Sequence, residues 1–332
     1  MAALTITLGS RTYDGVMPIV QREAAIPGVD IQPSLDNNVP RLFGRLFKGE
    51  VDVSEMSLAE LIYYTSRGRA DFVGIPVFPS RVFRHAFLFC SASSGITGPG
   101  DLNGHNIGFQ RWVQTAGVWM RGMLVDQYGV AADKARWYVS SAHHWEDEPE
   151  EEIRPRDGSR VNRYATSCPP ELESCCEALF GGEVDVVGIT ENQAGMLLAD
   201  SRARRLFTDY RSEEVTYYRR TRIFPIMHVL AMRRGLVDSH PELPADLFRL
   251  FCESKKLAQS LNSIPSWSFA WKDPYLEDER GIFGGDPWCF GLDVNQHVLD
   301  TFIGYCWQQG IAERQIAASE LFAAGTADLQ DR

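Results

Sequence analysis

The chain is predicted to be an α/β protein of two similar lobes, with mixed sheets flanked by helices and a ligand crevice between the lobes. Short β-rich runs alternate with helical patterns, which is typical of this fold class. One helix–Gly–strand pattern also occurs twice, at Leu46–Val53 and at Leu179–Val186. In each copy a helix should end at a glycine and a buried strand should follow. The repeat favours two related lobes, although two unrelated units would give the same pattern.

The periodicity of apolar residues gives the order of these elements. Nine strands are predicted, at Leu4–Leu8, Val29–Pro33, Val51–Val53, Phe72–Pro76, Ala86–Ser91, Asn106–Phe109, Arg136–Val139, Val184–Ile189 and Phe224–Met232. Six helices are predicted, at Val39–Lys48, Ser57–Arg67, Thr115–Tyr128, Glu171–Phe180, Glu242–Ser260 and Val294–Gln309. The polar segment Trp145–Arg163 is predicted to be an exposed loop.

The order of the elements predicts a discontinuous first lobe, residues 1–95 plus 220–332, and an inserted second lobe, residues 96–219. The turn Asp101–Gly104 precedes a new strand and is taken as the entry into the second lobe. The chain is expected to return between Arg205 and Phe224. Ligands of such folds bind in the crevice at the carboxyl ends of the strands, so candidate residues were sought there.

Composition excludes several classes of partner. The net charge of -11 argues against nucleic acid, because phosphate binding needs a basic surface, and against an anionic membrane surface. No apolar run reaches the ~18–20 residues of a membrane-spanning helix. The N-terminus lacks the pattern of a signal peptide and the seven cysteines form no CxxC pair, so a cytoplasmic protein with reduced thiols is expected. Assembly into a homo-oligomer is also compatible with the sequence.

The most informative segment is Ile75–His85, which follows a predicted buried strand and is stiffened by two prolines. Arg81, Arg84 and His85 place two guanidinium groups and an imidazole within five residues. Arginine suits bidentate binding of a carboxylate, and histidine suits proton transfer near neutral pH. The alternative is that these side chains pair with acidic residues at the surface.

Three other candidates follow predicted strands in the same way. Thr115 begins a helix whose free N–H groups would attract an anion, and Arg121 lies six residues further on. Ser57 also begins a helix, and Tyr13 follows the first strand. Thr115 and Ser57 are explained equally well as ordinary helix N-caps. Arg121 could equally lie at the surface.

Two later segments offer further groups. His228 lies within an apolar run, where a histidine is more often a hydrogen-bonded core residue than a catalyst. The Gly-rich turn Gly284–Gly291 carries Asp286 and Trp288 and could either close over a planar ring or serve as a plain turn. His143-His144 and the acids after them match no zinc signature, so no metal ligand is assigned.

Several strings in this order resemble the 4,5-dihydroxyphthalate decarboxylase family. The most specific is Ile75–Arg81 with Phe83–His85. The others are Glu55–Leu58, Thr115-Ala116 with Trp119 and Arg121-Gly122, Tyr128–Val130, Arg205–Phe207, Phe224–His228 and Gln309–Ile311. The resemblance extends from Leu4 to Phe322 and implies a fold like that of type 2 periplasmic binding proteins. It also implies a lyase that removes CO2 from a hydroxylated aromatic carboxylate, such as 4,5-dihydroxyphthalate, without an organic cofactor.

The chain departs from the family pattern at the expected edges of the crevice. The family has an acidic or amide residue and then Tyr where this chain has Gln110-Arg111-Trp112. It has a Gly-Gly and a Pro-Gly-Arg stretch where this chain has Ser140–His144 and an acidic loop, and Trp-Pro-Tyr-Gly where this chain has Trp288–Gly291. These departures affect the expected substrate more than the expected fold.

The chemistry of such a lyase distributes roles among the candidates. A proton must reach the ring carbon, and the carboxylates must be held in place. His85 is the first choice for proton transfer, followed by His228 and Asp286. Arg81, Arg84 and Arg121 are the expected carboxylate anchors, with Thr115, Ser57 and Tyr13 as further donors. Phe78, Trp119 and Trp288 are expected to stack on the ring.

Three alternatives remain open at this stage. The fold also permits a solute-binding protein without catalysis, because fold does not imply function. A lyase for another small aromatic acid would fit the departures from the family pattern. A divalent metal held by His85 or His143 could assist the decarboxylation.

Overall fold

The structure, a computed structural model, describes residues 4–69, 71–141, 153–165, 174–264 and 269–331. Its strands are β1 Leu4–Ser10, β2 Val29–Leu35, β3 Val53–Ser57, β4 Phe72–Arg81, β5 Leu88–Ser91, β6 Asn106–Arg111, β7 Arg136–Ser141, β8 Arg160–Arg163, β9 Val186–Gly188, β10 Ala203–Arg205 and β11 Ile226–Arg233. Its helices are α1 Met17–Val20, α2 Val39–Phe47, α3 Leu58–Ser66, α4 Thr115–Tyr128, α5 Ser174–Phe180, α6 Glu191–Leu198, α7 Tyr210–Thr221, α8 Arg234–Ser239, α9 Leu243–Ser260, α10 Lys272–Phe283 and α11 Gln296–Gln308.

The first sheet has the strand order β2-β1-β3-β11-β4. β1 is parallel to β2 and β3, whereas β11 runs antiparallel between β3 and β4. β3 and most of β4 are buried on both faces. This explains why the sequence of β4 is largely an apolar run, whereas β3 carries the buried polar residues Ser54, Glu55 and Ser57. Because β1, β3 and β4 run in the same direction, their carboxyl ends meet at one edge of this sheet.

The second sheet has the order β10-β5-β9-β6-β7-β8. β6 is parallel to β7 and β9, and β7 is parallel to β8. β5 runs antiparallel to both of its neighbours, so this sheet is mixed as well. The largest core cluster includes residues of both sheets, among them Met56 and Ile75 from the first and Phe109 and Trp137 from the second.

Both copies of the repeated sequence pattern form the predicted structure. α2 is followed by Gly49 at φ 72° and then by β3, while α5 is followed by Gly182 at φ 75° and then by β9. A positive φ at this point is the usual way in which a glycine ends a helix. The two copies lie in different sheets, β3 in the first and β9 in the second.

The division of the chain between the sheets differs from the predicted lobes at one strand. β5, which the predicted boundaries assign to the first lobe, belongs to the second sheet. The chain therefore leaves the first sheet after Arg81 and enters the second at Leu88, before the turn at Asp101–Gly104. It returns between β10 and β11, within the predicted interval. The lobe boundaries themselves remain predictions.

All predicted strands and helices overlap observed elements, but seven of the described strands and helices were not predicted, among them the 12-residue helices α7 and α10. The seven are α1, α6, α7, α8, α10, β8 and β10. The segment predicted as a loop, Trp145–Arg163, lies partly outside the described residues, and its last four residues form β8. None of the described helices is both long enough and apolar enough to cross a membrane.

Candidate active site

A cavity of about 130 Å3, here called the cleft cavity, has walls from both sheets. The first sheet contributes residues at the ends of β1, β3, β4 and β11, and the second contributes the end of β6 and the residues after β9. The lining residues are Arg11, Asn38, Val39, Pro40, Phe43, Ser57, Ser80, Arg84, Gln110, Arg111, Gln114, Thr115, Ala116, Thr190, Glu191, Met227 and His228. The cleft cavity thus occupies the place that the fold predicts for a ligand.

The N-terminal ends of four helices, α2, α3, α4 and α6, lie on this wall. Their N–H groups and dipoles create a positive potential that favours an anion. The Ser57 and Thr115 hydroxyls are 2.8 Å apart, and Thr115 Oγ1 accepts a hydrogen bond from the Ala59 N–H at 3.0 Å. Thr115 therefore caps the neighbouring helix α3 rather than its own helix α4, and it holds the two helix ends together.

Two buried arginines add positive charge to the same wall. Arg84 Nη1 donates to Glu191 Oε1 at 3.1 Å, and Arg84 Nε lies 3.1 Å from Met227 Sδ. Arg111 is the last residue of β6 and is also buried. Burial lowers the pKa of both guanidinium groups, and the carboxylates of Glu191 and Glu60 oppose this shift at Arg84 and Arg111 respectively. Desolvated cations of this kind bind a carboxylate strongly.

His228 is held by a buried carboxylate. Its Nδ1 lies 2.7 Å from Oε2 of Glu55, a side chain that is 1% exposed. The Tyr13 hydroxyl donates to the same oxygen at 3.0 Å, and the Arg11 N–H donates to Oε1 at 2.6 Å. With Nδ1 committed to Glu55, Nε2 is the imidazole nitrogen left for the cleft cavity. A carboxylate–imidazole pair in this arrangement fixes the tautomer and stabilises the imidazolium.

A local irregularity of β11 positions His228. The pairing of β11 with β4 shifts register on both sides of His228, between Ile226 and His228 and again between His228 and Leu230. Such bulges redirect side chains and are frequent beside active sites. The Phe43 ring packs edge-on against the imidazole, with the ring centroids 5.0 Å apart. The imidazole is therefore fixed both by hydrogen bonding and by packing.

The structure places Arg81 away from the cleft cavity, contrary to the expectation that it anchors a carboxylate. Its guanidinium donates to the carbonyl oxygens of Phe224 (3.2 Å) and Cys289 (2.9 Å) and to the Asn295 side chain. Burial lowers the pKa of Arg81 to about 10. Successive side chains of a strand point to opposite faces, so Ser80 lines the cavity while Arg81 binds the loop before α11.

Arg121 is likewise a structural residue. It is 2% exposed, and it donates to Gln309 Oε1 at 2.8 Å and to the Trp112 carbonyl at 2.6 Å. Its guanidinium lies over the Trp112 ring, 3.9 Å from the centroid. Burial lowers the pKa of Arg121 to about 9. Arg121 fastens α4 to the chain after α11 and does not line the cleft cavity.

His85, the first choice for proton transfer, lies in the core beside α7. It is fully buried, and its Nε2 lies 2.9 Å from the Tyr128 hydroxyl. The rings of Phe207 and Tyr217 surround it at centroid distances of 5.1 Å. Burial lowers the pKa of His85 to about 3, so the imidazole is neutral. The geometry therefore does not support proton transfer to a ligand in the cleft cavity by His85.

Asp286, Trp288 and Phe78 line a different cavity, of about 780 Å3, which lies beside α9 and α10. Asp286 accepts from Lys255 Nζ at 2.5 Å, and this bond and others lower its pKa against the opposing effect of burial. Tyr13 also lines this second cavity, while its hydroxyl contacts Glu55. The predicted proton donor Asp286 and the predicted aromatic stack are therefore not brought together with His228.

Trp119 belongs to the core rather than to a substrate platform. Its indole N–H donates to the Ile226 carbonyl at 2.9 Å, and its ring stacks on Phe302 at a centroid distance of 4.8 Å. This hydrogen bond connects α4, which follows β6 of the second sheet, to the start of β11 in the first sheet. Trp119 thereby supports the strand that carries His228.

Of the predicted residues, the structure gathers Ser57, Arg84, Thr115 and His228 on one wall. The residues that sequence reasoning missed are Arg11, Glu55, Arg111 and Glu191. Arg111 follows β6, at the carboxyl-end position used for the other predictions. The pattern Thr190-Glu191-Asn192-Gln193 is a capping box that could have identified α6. Glu55 begins one of the strings that resemble the family, but no local signal gives it a role, because its partner His228 lies 173 residues away.

The arrangement of possible metal ligands was also considered. Within the described part of the chain, no group of three or more His, Cys, Asp or Glu side chains is placed to hold a metal ion. His143 and His144 lie outside the described residues.

Comparison with known proteins identifies relatives of this chain. It is 31% identical to a 4,5-dihydroxyphthalate decarboxylase from Comamonas testosteroni over 97% of both chains. It is 29% identical to a protein of the same name from Pseudomonas putida over 56% of this chain and 70% of that protein. No family model matches the chain.

Solved structures confirm the fold. The periplasmic aliphatic sulphonate binding protein SsuA from Escherichia coli matches with a TM-score of 0.57 and 14% identity, covering 96% of this chain and 97% of that one. The desulfurization enzyme DSZB matches with a TM-score of 0.53 and 14% identity over 97% of both chains. The fold is therefore that of periplasmic binding proteins. From the sequence identity and coverage, the chain belongs to the 4,5-dihydroxyphthalate decarboxylase family and is a carboxy-lyase.

Proposed function

We propose that this chain removes one carboxylate from a hydroxylated aromatic dicarboxylate, with 4,5-dihydroxyphthalate as the first candidate, to give CO2 and protocatechuate. The observation that carries the proposal is the Glu55–His228 pair at the wall of a cavity that also contains Arg84 and Arg111. The cations and helix ends supply binding for carboxylates, and the imidazole supplies a proton. The names of the relatives support the same reaction.

The reaction consumes one proton, which replaces the carboxylate on the ring carbon. In the proposed course, Nε2–H of the His228 imidazolium protonates that carbon, and a ring hydroxyl supplies electron density that favours this step. The bond to the carboxylate carbon then breaks, its electron pair restores the aromatic ring, and CO2 leaves. Glu55 stabilises the imidazolium before the transfer, and Arg84 and Arg111 hold the carboxylates in position.

The test is decarboxylation by the purified protein and by His228→Asn, measured as CO2 release and protocatechuate formation. Loss of a general acid should lower kcat by roughly 10²–10⁴-fold. Binding of phthalate, which carries the carboxylates but no hydroxyl groups, should change little, because the arginines remain. His240→Asn is the matched control, since His240 is a more exposed histidine 3.7 Å from Glu242.

Two results would contradict the assignment in different ways. A His228→Asn variant with wild-type kcat would remove His228 from the mechanism. A wild-type protein that binds the ligand and returns it unchanged would favour a binding protein without catalysis, as in the sulphonate-binding neighbours of this fold.

A second candidate function is decarboxylation of another hydroxylated aromatic acid. Gln110 and Arg111, where the sequence departs from the family pattern, both line the cleft cavity. A change at these positions would alter which ring substituents fit. A panel of hydroxylated benzoates and phthalates, ranked by kcat/KM, distinguishes this candidate from the first.

A further inference from the structure

Glu191 is the one acid among the described residues that line the cleft cavity. It is the first residue of α6, and its Oε1 accepts from Arg84 Nη1 at 3.1 Å. The Arg84 side chain is 4% exposed, whereas that of Glu191 is 46% exposed. The carboxylate thus reaches from the rim onto a buried cation inside an anion-binding cavity.

A carboxylate at this position opposes the binding of a dianion. It neutralises part of the charge of Arg84, and it repels any carboxylate that approaches within a few ångströms. A site that only had to bind two carboxylates would bind them more tightly without Glu191. The position of Glu191 therefore indicates a ligand group that benefits from an anionic acceptor, and a ring hydroxyl is such a group.

Two amide oxygens on the wall already accept hydrogen bonds from protein donors. Asn38 Oδ1 accepts from the Arg41 N–H at 3.0 Å, and Gln110 Oε1 accepts from Gln114 Nε2 at 3.2 Å. The arginines and helix ends are donors only. The Glu191 side chain is 46% exposed and is the one carboxylate among the described lining residues, and a carboxylate is a stronger acceptor for a hydroxyl group than an amide oxygen.

We infer that Glu191 determines specificity by accepting a hydrogen bond from a ring hydroxyl of the substrate, so that the cleft cavity prefers hydroxylated over unsubstituted aromatic dicarboxylates. The inference rests on the proposed function. Protonation of the ring carbon makes a ring hydroxyl more acidic, so its bond to the carboxylate strengthens as the reaction proceeds. An interaction that is stronger in the transition state raises kcat/KM.

The charge state of Glu191 agrees with this role. Burial alone would raise the pKa of its carboxyl group, but the Arg84 guanidinium, a backbone hydrogen bond and His228 together lower the pKa below its ordinary value. The side chain therefore accepts as a carboxylate at neutral pH.

The experiment compares Glu191→Gln with the wild type on two ligands. The first is 4,5-dihydroxyphthalate, assayed by turnover. The second is phthalate, assayed by calorimetric binding. The variant should lose about tenfold in kcat/KM on the hydroxylated substrate, because a charge-assisted bond becomes a neutral one. Phthalate should bind with equal or higher affinity, because a negative charge has gone. Glu320→Gln is the matched control, since Glu320 forms an exposed ion pair with Arg314 at 2.6 Å.

Two outcomes would overturn the inference. If the variant has a higher kcat/KM on 4,5-dihydroxyphthalate and also a higher affinity for phthalate, Glu191 only neutralises Arg84 in the empty cavity. If kcat/KM on 4,5-dihydroxyphthalate and the affinity for phthalate fall by the same factor, Glu191 only positions Arg84. Failure of the proposed function is separate, since it would appear as no CO2 release by the wild type. The hydroxyl preference could then still be measured, by calorimetric binding of 4,5-dihydroxyphthalate against phthalate.

Discussion

Glu55 is a charged side chain that folding has removed from water, and its surroundings explain how this is tolerated. Its two oxygens accept from the Arg11 N–H, the Ser10 hydroxyl, the Tyr13 hydroxyl and His228 Nδ1. A buried carboxylate is costly unless such donors surround it. Burial and the nearby Glu55 carboxylate raise the pKa of Tyr13 well above its ordinary value, so its hydroxyl keeps the proton that it donates. The imidazole of His228 therefore meets a fixed, anionic acceptor.

A second buried acid, Glu214, should make stability depend on pH. It accepts from the Ala86 N–H at 3.3 Å and lies 4.0 Å from His85 Nδ1. Burial raises the pKa of Glu214 from 4.5 to about 7. Between these values the unfolded chain has released the proton while the folded chain still holds it. The contribution of Glu214 to stability is therefore present below pH 4.5 and is lost as the pH rises towards 7.

The measurement is urea unfolding of the wild type and Glu214→Gln at pH 5 and pH 7.5. The amide does not titrate, so the free energy of unfolding of the wild type should fall relative to the variant by on the order of 2 kcal/mol across this range. Glu253→Gln, at an exposed position of α9, is the control and should show no such change. A difference that stays constant with pH would show that Glu214 ionises normally in the folded protein.

At the level of elements, the end of β4 shows how one strand serves two purposes. Ser80 faces the cleft cavity, Arg81 faces the loop before α11, and Arg84, beyond the strand, returns to the cavity. Because successive side chains of a strand point to opposite faces, the neighbouring Ser80 and Arg81 side chains point in opposite directions. Two arginines three residues apart therefore have different roles, one structural and one at the candidate site.

These roles predict opposite phenotypes for two matched variants. Arg81→Gln removes a buried guanidinium that donates to the Phe224 and Cys289 carbonyls and to the Asn295 side chain, so it should lower the free energy of unfolding by about 2–4 kcal/mol. Its KM should stay near that of the wild type. Arg84→Gln should raise KM by about tenfold or more, through loss of a charged carboxylate contact. Equal effects of both variants on KM would contradict the separation.

The same elements show what could be predicted from the sequence. Apolar periodicity located nine of the eleven described strands and the repeated helix–Gly–strand unit, because both depend on neighbours in the chain. Position after a strand drew attention to Ser57, Arg84 and Thr115, which line the cleft cavity, and also to Arg81 and His85, which do not. It could not decide which of Arg81 and Arg84 faces inward, since the direction of Arg81 is set by the pairing of β4 with β11 and Arg84 lies beyond the strand. It also missed Glu55, whose significance depends on His228 in another strand.

In the whole molecule, the cleft cavity depends on both sheets at once. Ser57 and His228 come from the first sheet, and Arg111 and Glu191 come from strands or connections of the second. The net charge of the chain is -11, yet the wall carries three arginines and four helix N-termini. The local charge of this wall therefore opposes the overall charge of the chain, which concentrates an anionic ligand there.

A ligand that contacts both sheets should slow the local unfolding of both sheets. We expect saturation with phthalate to slow hydrogen exchange at backbone amides of β3 and of β6, because binding stabilises the folded state by about 2.7 kcal/mol at 100 times Kd. Arg111→Met should weaken this protection in β3 as well as in β6, although Arg111 belongs to β6 alone. The measurement is exchange followed by mass spectrometry, with potassium chloride of equal ionic strength as the control. Protection confined to one sheet would mean that the ligand occupies a site on that sheet only, and that the cavity between the sheets is not where carboxylates bind.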